Sequence, residues 1–356
     1  MKYLDKQDMD KLAIGAALLG TGGGGDPYVG KLMAQQSIDK YGPVQMITID
    51  ELATDATVAT FAMVGAPTVL VEKIPNFESF DILYDEFVKY NGDKIDAVMP
   101  IEAGGVNSMI PIIFAAIKGV PLVDADGMGR AFPEMQMDTF NVNGIHNTPA
   151  VFADEKGNTA ILNTSDGLWT EKIARSLTTV MGGSILNGVY LLSRQELHDY
   201  AIHHTVSTSI AIGETLMTSK QPIEDLQVLL GGTILFRGKI QDVARRTDGG
   251  FVKGTATLTG LDADKDATCK IEFQNENLVC LVDDVPRCTT PDLITVLDLE
   301  TGMPITTEGL KFGARCVVFA QPADDKWKTE AGIRTVGPGY FGYDYDYIPL
   351  EKTVKG

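Results

Sequence analysis

A chain of 356 residues with 44% hydrophobic and 22% charged residues has room for two domains and a core that needs neither disulfides nor metals. Its formal net charge of -18 argues against nucleic acid and anionic membrane surfaces as partners. No stretch has the length and apolarity of a transmembrane helix, and Met1 to Lys6 runs directly into a charged amphipathic pattern rather than a signal peptide.

Cys269, Cys280, Cys288 and Cys316 contain no Cys-x-x-Cys pair, and His146, His198, His203 and His204 form no His-Glu-x-x-His pair. A cytoplasmic protein with reduced thiols is expected.

Leu4 to Leu19 reads as a helix, with Asp5 as N-cap and Asp8 completing a capping box. Gly20-Thr21-Gly22-Gly23-Gly24-Gly25-Asp26-Pro27 follows, a glycine loop feeding a second helix with Asp26 as cap and Pro27 at the first position. Free N–H groups of Gly22 to Gly25 at such a junction suit an anion or a developing negative charge. The loop follows a helix and lacks a Gly-Lys-Ser/Thr ending, so no nucleotide cofactor is expected.

Strands are read at 43–49, 58–64, 97–100 and 120–123, with helices at 80–90 and 109–116 between them. Strands alternating with helices predict an α/β domain, mainly a parallel sheet with helices on both faces. The strand end at Gly65-Ala66-Pro67, the segment Glu102-Ala103-Gly104-Gly105-Val106-Asn107 and the run Asp124-Ala125-Asp126-Gly127-Met128-Gly129-Arg130 through Glu134 then share one sheet edge, where such folds bind ligands. The alternative is that Asp124, Asp126 and Gly127 are turn chemistry with Arg130 as their structural partner, and that Glu102 favours a helix start.

A hairpin is read at 150–152 and 159–162, and the domain boundary is placed so that residues 1–165 form the α/β domain and 166–356 a β-rich one. Ser193 opens a helix with a capping box to Glu196. From Gly231 onward, glycine-punctuated strands and the hairpin around Asn275-Glu276-Asn277 indicate mostly antiparallel sheet. The aromatic tail from Tyr340 to Tyr347 is read as a loop packed on that domain.

The segments Thr21 to Pro27, Glu102 to Asn107, Asp124 to Glu134, Asp242 to Arg245 with Gly249 to Phe251, Pro291 to Ile294, Thr301 to Ile305, and Val336 to Pro338 with Phe341 to Asp344 occur in an order that resembles the S-methyl thiohydantoin desulfurase family. The resemblance spans nearly the whole chain. It implies an α/β N-terminal domain, a β-rich C-terminal domain and a role near hydantoin metabolism, with a hydantoinase-type protein as a partner. The implied reaction is hydrolytic loss of sulfur from a thiohydantoin or its S-methyl derivative.

Such a reaction needs a base for water, donors for developing charge and an acid for the leaving group. Glu102, Asp124 and Asp126 are the candidate bases. Arg130 is the candidate carboxylate clamp, and Gly22, Gly23, Gly24, Gly25, Asp26, Gly104, Gly105, Asn107 and Glu134 are the candidate substrate-binding residues. A divalent ion held by Glu102, Asp124, Asp126 and His146 is the metal variant, and the metal-free version is preferred because histidines are scarce. A ring-opening amidohydrolase, an accessory hydantoinase subunit and a non-catalytic small-molecule binder are the alternatives. A homo-oligomer is expected.

Overall fold

The computed structural model describes residues 2–65, 69, 76–92 and 94–353. The first sheet is built from β1 (Lys2–Leu4), β2 (Val44–Ile47), β3 (Thr57–Gly65), β4 (Ala97–Met99), β5 (Leu122–Val123), β7 (Ala150–Ala153), β8 (Thr159–Leu162) and β9 (Ser184–Ser193). Their order is β1-β2-β5-β4-β3-β9-β7-β8. The centre, β2-β5-β4-β3, is parallel, while β1 on one side and β9, β7 and β8 on the other run antiparallel to their neighbours. A separate pairing joins β6 (Ala125–Asp126) to β10 (Ile202–His203).

Central strand β3 shows why the sheet is covered on both faces. Ala59 and Phe61 share one core with residues of helices Lys6–Leu19, Pro27–Tyr41, Glu78–Asn91 and Ile110–Lys118. Phe61 stacks on Phe114 at 4.1 Å and meets Phe87 edge-on at 5.2 Å. Val58 and Ala62 face the other way, into a core with Phe140, Ala174 and Leu197 of helices Thr139–Val142, Gly167–Val180 and Arg194–Tyr200. Both faces of a strand are apolar only when both are buried.

The first helix begins as read, with Asp5 and Asp8 forming a reciprocal capping box. It lies against helix Thr205–Thr218 at backbone distance. A Cβ on Gly15 would stand 1.8 Å from the Ser209 carbonyl oxygen, and one on Gly213 would stand 2.0 Å from that of Lys11. After Leu19 the chain takes positive φ at Thr21, Gly22, Gly24 and Gly25 before Asp26 caps the next helix.

The second sheet is antiparallel throughout: β11 (Thr233–Asp248), β12 (Phe251–Gly260), β13 (Thr268–Gln274), β14 (Glu276–Val282), β15 (Val285–Thr289), β16 (Leu293–Asp298), β17 (Pro304–Ile305) and β18 (Arg315–Gln321), in the order β15-β14-β13-β12-β11-β18-β16-β17. The four cysteines are buried in this domain with free thiols.

β9 has no counterpart among the predicted strands. It inserts between β3 and β7, so the chain re-enters the first sheet after residue 165 and the second sheet starts only at Thr233. The run Ile185 to Leu192, apolar but for Asn187, lacks strict alternation because it is buried on both faces. The strand end at Gly65 is as read, whereas Ala66 and Pro67 lie outside the described residues.

Candidate active site in the interdomain cleft

A cleft of about 130 Å³ opens where the two domains meet. The first domain contributes Gly23 to Gly25, Ala62 to Gly65, Glu102, Asn107, Asn187 and Phe132 to Met135. The second contributes Asn275 and Glu276 at the β13–β14 turn, and Glu308. Glu102 and Glu276 therefore enter one space from sequence positions far apart.

Glu102 sits in the loop after β4 and is buried. Asn107 fixes it, donating from Nδ2 to Glu102 Oε1 at 2.7 Å. The same side chain grips the end of β3, accepting from Met63 N–H at 2.8 Å and donating to its carbonyl at 3.2 Å. Burial pushes the Glu102 carboxyl up to about 7, against the hydrogen bonds from Asn107 and the Phe132 backbone that favour the ionised form.

Glu276 owes its position to two backbone features. Asn275 turns the hairpin with φ 56°, and Gly23 leaves room opposite. A Cβ on Gly23 would lie 1.9 Å from Glu276 Oε1. The glycine loop is stitched to this turn: Asn277 N–H donates to the Thr21 carbonyl at 2.8 Å, and Thr307 donates to Gly22 from its backbone at 2.9 Å and its hydroxyl at 3.1 Å. Burial, and then the neighbouring Glu102 charge, hold the Glu276 carboxyl well above its usual range, with Arg130 opposing. Glu276 Oε2 has no hydrogen-bond partner among the described residues.

Two buried carboxyls thus face one cleft with raised pKa values, Glu102 at about 7 and Glu276 well above its usual range. That is the arrangement acid–base chemistry requires. Glu134 also lines the cleft, its Oε2 accepting from Tyr340 at 2.6 Å and from Gln136 at 2.5 Å. Among the described lining residues Arg175 is the one cation, and it is paired with Glu171 at 2.7 Å. An acidic lining disfavours anionic ligands.

Residues 7–164 match the family description "S-Me-THD-like, N-terminal domain", and residues 165–350 match "S-Me-THD-like, C-terminal domain". The chain belongs to the S-Me-THD-like family. An X-ray crystal structure of a protein from Chromobacterium violaceum superposes on this S-Me-THD-like chain with a TM-score of 0.82 at 22% identity, covering 98% of this chain and 100% of that one. At that identity the likeness establishes the shared fold. No curated protein matches the chain.

The S-Me-THD-like cleft brings together some of the residues singled out in the sequence and leaves others outside. Glu102, Asn107, Glu134, Gly23, Gly24 and Gly25 line it. Gly104 and Gly105 stand behind the lining and are glycines because two loops touch there. A Cβ on Gly105 would meet the Gly25 carbonyl oxygen at 2.1 Å, and one on Gly24 would meet Gly104 Cα at 2.6 Å. The Gly22 carbonyl is committed to Thr307, and exposed Asp26 caps the second helix through Tyr28 N–H at 2.8 Å.

Asp124 does not line the cleft. It holds the start of helix Thr205–Thr218, accepting from Ser207 N–H at 2.8 Å and Ser207 Oγ at 2.6 Å. Asp126 accepts from Met128 N–H at 2.7 Å and from Gly129 N–H, the turn chemistry its spacing allows, and burial lifts it to about 7.

Arg130 is fully buried, and all five of its donors are taken. Nε donates to Ala131 O at 3.1 Å, Nη1 to Pro291 O and Asp292 O at 3.0 and 2.9 Å, and Nη2 to Thr21 Oγ1 and Asn277 O at 2.8 and 3.3 Å. It therefore has no fork left for a substrate carboxylate, and it is not the partner of Asp124 or Asp126. Exposed His146 does not join these acids, and no group of three or more metal-ligating side chains gathers among the described residues.

Glu276, Asn187 and Glu308 are among the cleft residues that sequence reasoning missed. The only local signal for Glu276 was a hairpin turn, in which a carboxylate is ordinary. Its complement, Gly23, lies in the other domain.

Proposed function

We propose that the chain hydrolyses the carbon–sulfur bond of a thiohydantoin or S-methyl thiohydantoin-type ring. The observation that carries this reading is the pairing across one cleft of buried Glu102, raised to about 7, with buried Glu276, raised well above its usual range. Membership of the S-Me-THD-like family supports the substrate class.

Ionised Glu102 takes a proton from water as the water oxygen bonds to ring carbon C2. The resulting tetrahedral carbon carries oxygen, sulfur and two ring nitrogens. The C2–S bond then breaks, the electron pair leaves with sulfur, and Glu276 supplies the proton that makes methanethiol or hydrogen sulfide. The C2–O group loses its proton to form the hydantoin carbonyl, and that proton restores Glu276 by way of solvent. Glu102 passes the proton it took to the ring nitrogen freed of its double bond to C2 or, for a thione, to the departing hydrosulfide, so that both carboxyls end as they began. The backbone N–H groups of Gly24 and Gly25, which line the cleft and have no hydrogen-bond partner among the described residues, steady the developing negative charge. An uncharged ring suits the acidic lining.

The test offers purified protein S-methyl thiohydantoins, thiohydantoins and plain hydantoins while following thiol, sulfide and ring opening together. Sulfur release with an intact hydantoin product is expected. Ring opening without sulfur release would replace this reading with an amidohydrolase, and binding without turnover would replace it with a binding protein.

A further inference from the structure

Asn187 of β9 stands directly across from Ala62 of β3 and Phe152 of β7. Its same-face neighbours along β9, Ile185 and Val189, belong to the apolar core, as does Ala62. A polar side chain on such a stripe normally has an internal job. Asn107 and Asn277 have theirs, with Nδ2 donating to Glu102 and to the Ile294 carbonyl. Asn187 does not: it is 1% exposed, lines the cleft, and its Nδ2 has no partner among the described residues. Asn187 and Glu102 line the same cleft, and the register links them through β3. Ala62 precedes Met63, whose backbone holds Asn107, and Asn107 holds Glu102.

Resting on the hydrolytic reading above, we propose that Asn187 binds substrate by donating its Nδ2–H to a ring carbonyl oxygen. The site thereby selects rings that carry a carbonyl one ring atom away from the carbon attacked. The fixed donor orients that ring so that C2 faces the water held by Glu102. A cyclic thiourea without the carbonyl leaves the donor buried and unanswered, and is rejected for that reason.

The test is calorimetric binding of hydantoin and of imidazolidin-2-one, the same ring without the C4 carbonyl, to wild type and Asn187→Ala. Wild type is expected to bind hydantoin about tenfold more tightly, the worth of one hydrogen bond. Asn187→Ala is expected to erase that preference by weakening hydantoin alone, with no fall in Tm, since no internal bond is lost. Equal affinities in wild type, equal weakening of both ligands by the variant, or failure of the variant to fold would each overturn the proposal. Sulfur release is assayed separately. Absence of discrimination in wild type with sulfur release intact refutes the role of Asn187, whereas discrimination by wild type without sulfur release refutes the reaction and leaves the binding role standing.

Discussion

Glu102 is useful because it is uncomfortable. Buried, it keeps its proton up to about pH 7, whereas its ordinary value is 4.5. Between those values the folded chain binds more protons than the unfolded one. The stability this group contributes is full below the unfolded value and is lost as pH rises through the folded one. Glu102→Gln removes the ionisation and should stabilise the protein at pH 8 by about 3 kcal/mol relative to its effect at pH 5, measured by chemical denaturation. A difference independent of pH would mean that the carboxyl is not held neutral. Under the proposed reaction the same group acts in the opposite sense: kcat/KM for sulfur release should climb from pH 6 to pH 8 as Glu102 deprotonates, because a base works only when ionised. At this scale the sequence was readable in part. Glu102 and Asn107 follow from their place after a strand, but the orientation of Asp124 and Asp126 does not, since a strand-end acid serves a turn, a helix start or a ligand equally well.

At the scale of elements, local chemistry and close approach were legible to different degrees. Caps were: Asp5, Asp26 and Ser193 all start the helices their neighbours announce. The purpose of the glycine loop was not, because it depends on what lies opposite. Gly23→Ala puts a methyl where Glu276 sits and should cut kcat/KM by at least about tenfold with a smaller effect on Tm, the signature of a displaced side chain rather than a broken fold. Gly15→Ala should act in reverse, since its Cβ meets the Ser209 backbone far from the cleft lining. Thermal unfolding should show a loss on the order of 2 kcal/mol, with kcat/KM per folded molecule retained. β9 escaped prediction because a strand buried on both faces has no alternation to announce it.

For the whole molecule, the candidate site lies at the junction of the two domains, and Arg130 is the staple of that junction. Its donors join the end of the first helix to Asn277, Pro291 and Asp292 of the second domain, and its guanidinium lies over Phe132 at 4.5 Å. Burial lowers it only to about 10, so it stays charged. Arg130→Lys keeps the charge but loses the planar fork. Urea titration should show a destabilisation of about 3 kcal/mol or more, and an unchanged midpoint would contradict the staple. An arginine that holds domains together resembles, in one dimension, an arginine that holds a substrate. Only the five carbonyl and hydroxyl acceptors around it tell them apart. No described helix is long and apolar enough to cross a membrane.

Whether sulfur removal takes place between Glu102 and Glu276 is decided by comparing three variants. Glu102→Gln, Glu276→Gln and Asp124→Asn would be assayed for thiol release from an S-methyl thiohydantoin, with kcat/KM expressed per folded molecule. The two cleft variants should each lose at least about a hundredfold, the usual worth of a positioned acid or base. Asp124→Asn, outside the cleft, should stay within a few-fold of wild type. Loss of activity in Asp124→Asn with Glu276→Gln fully active would move the chemistry away from the interdomain cleft and contradict the account.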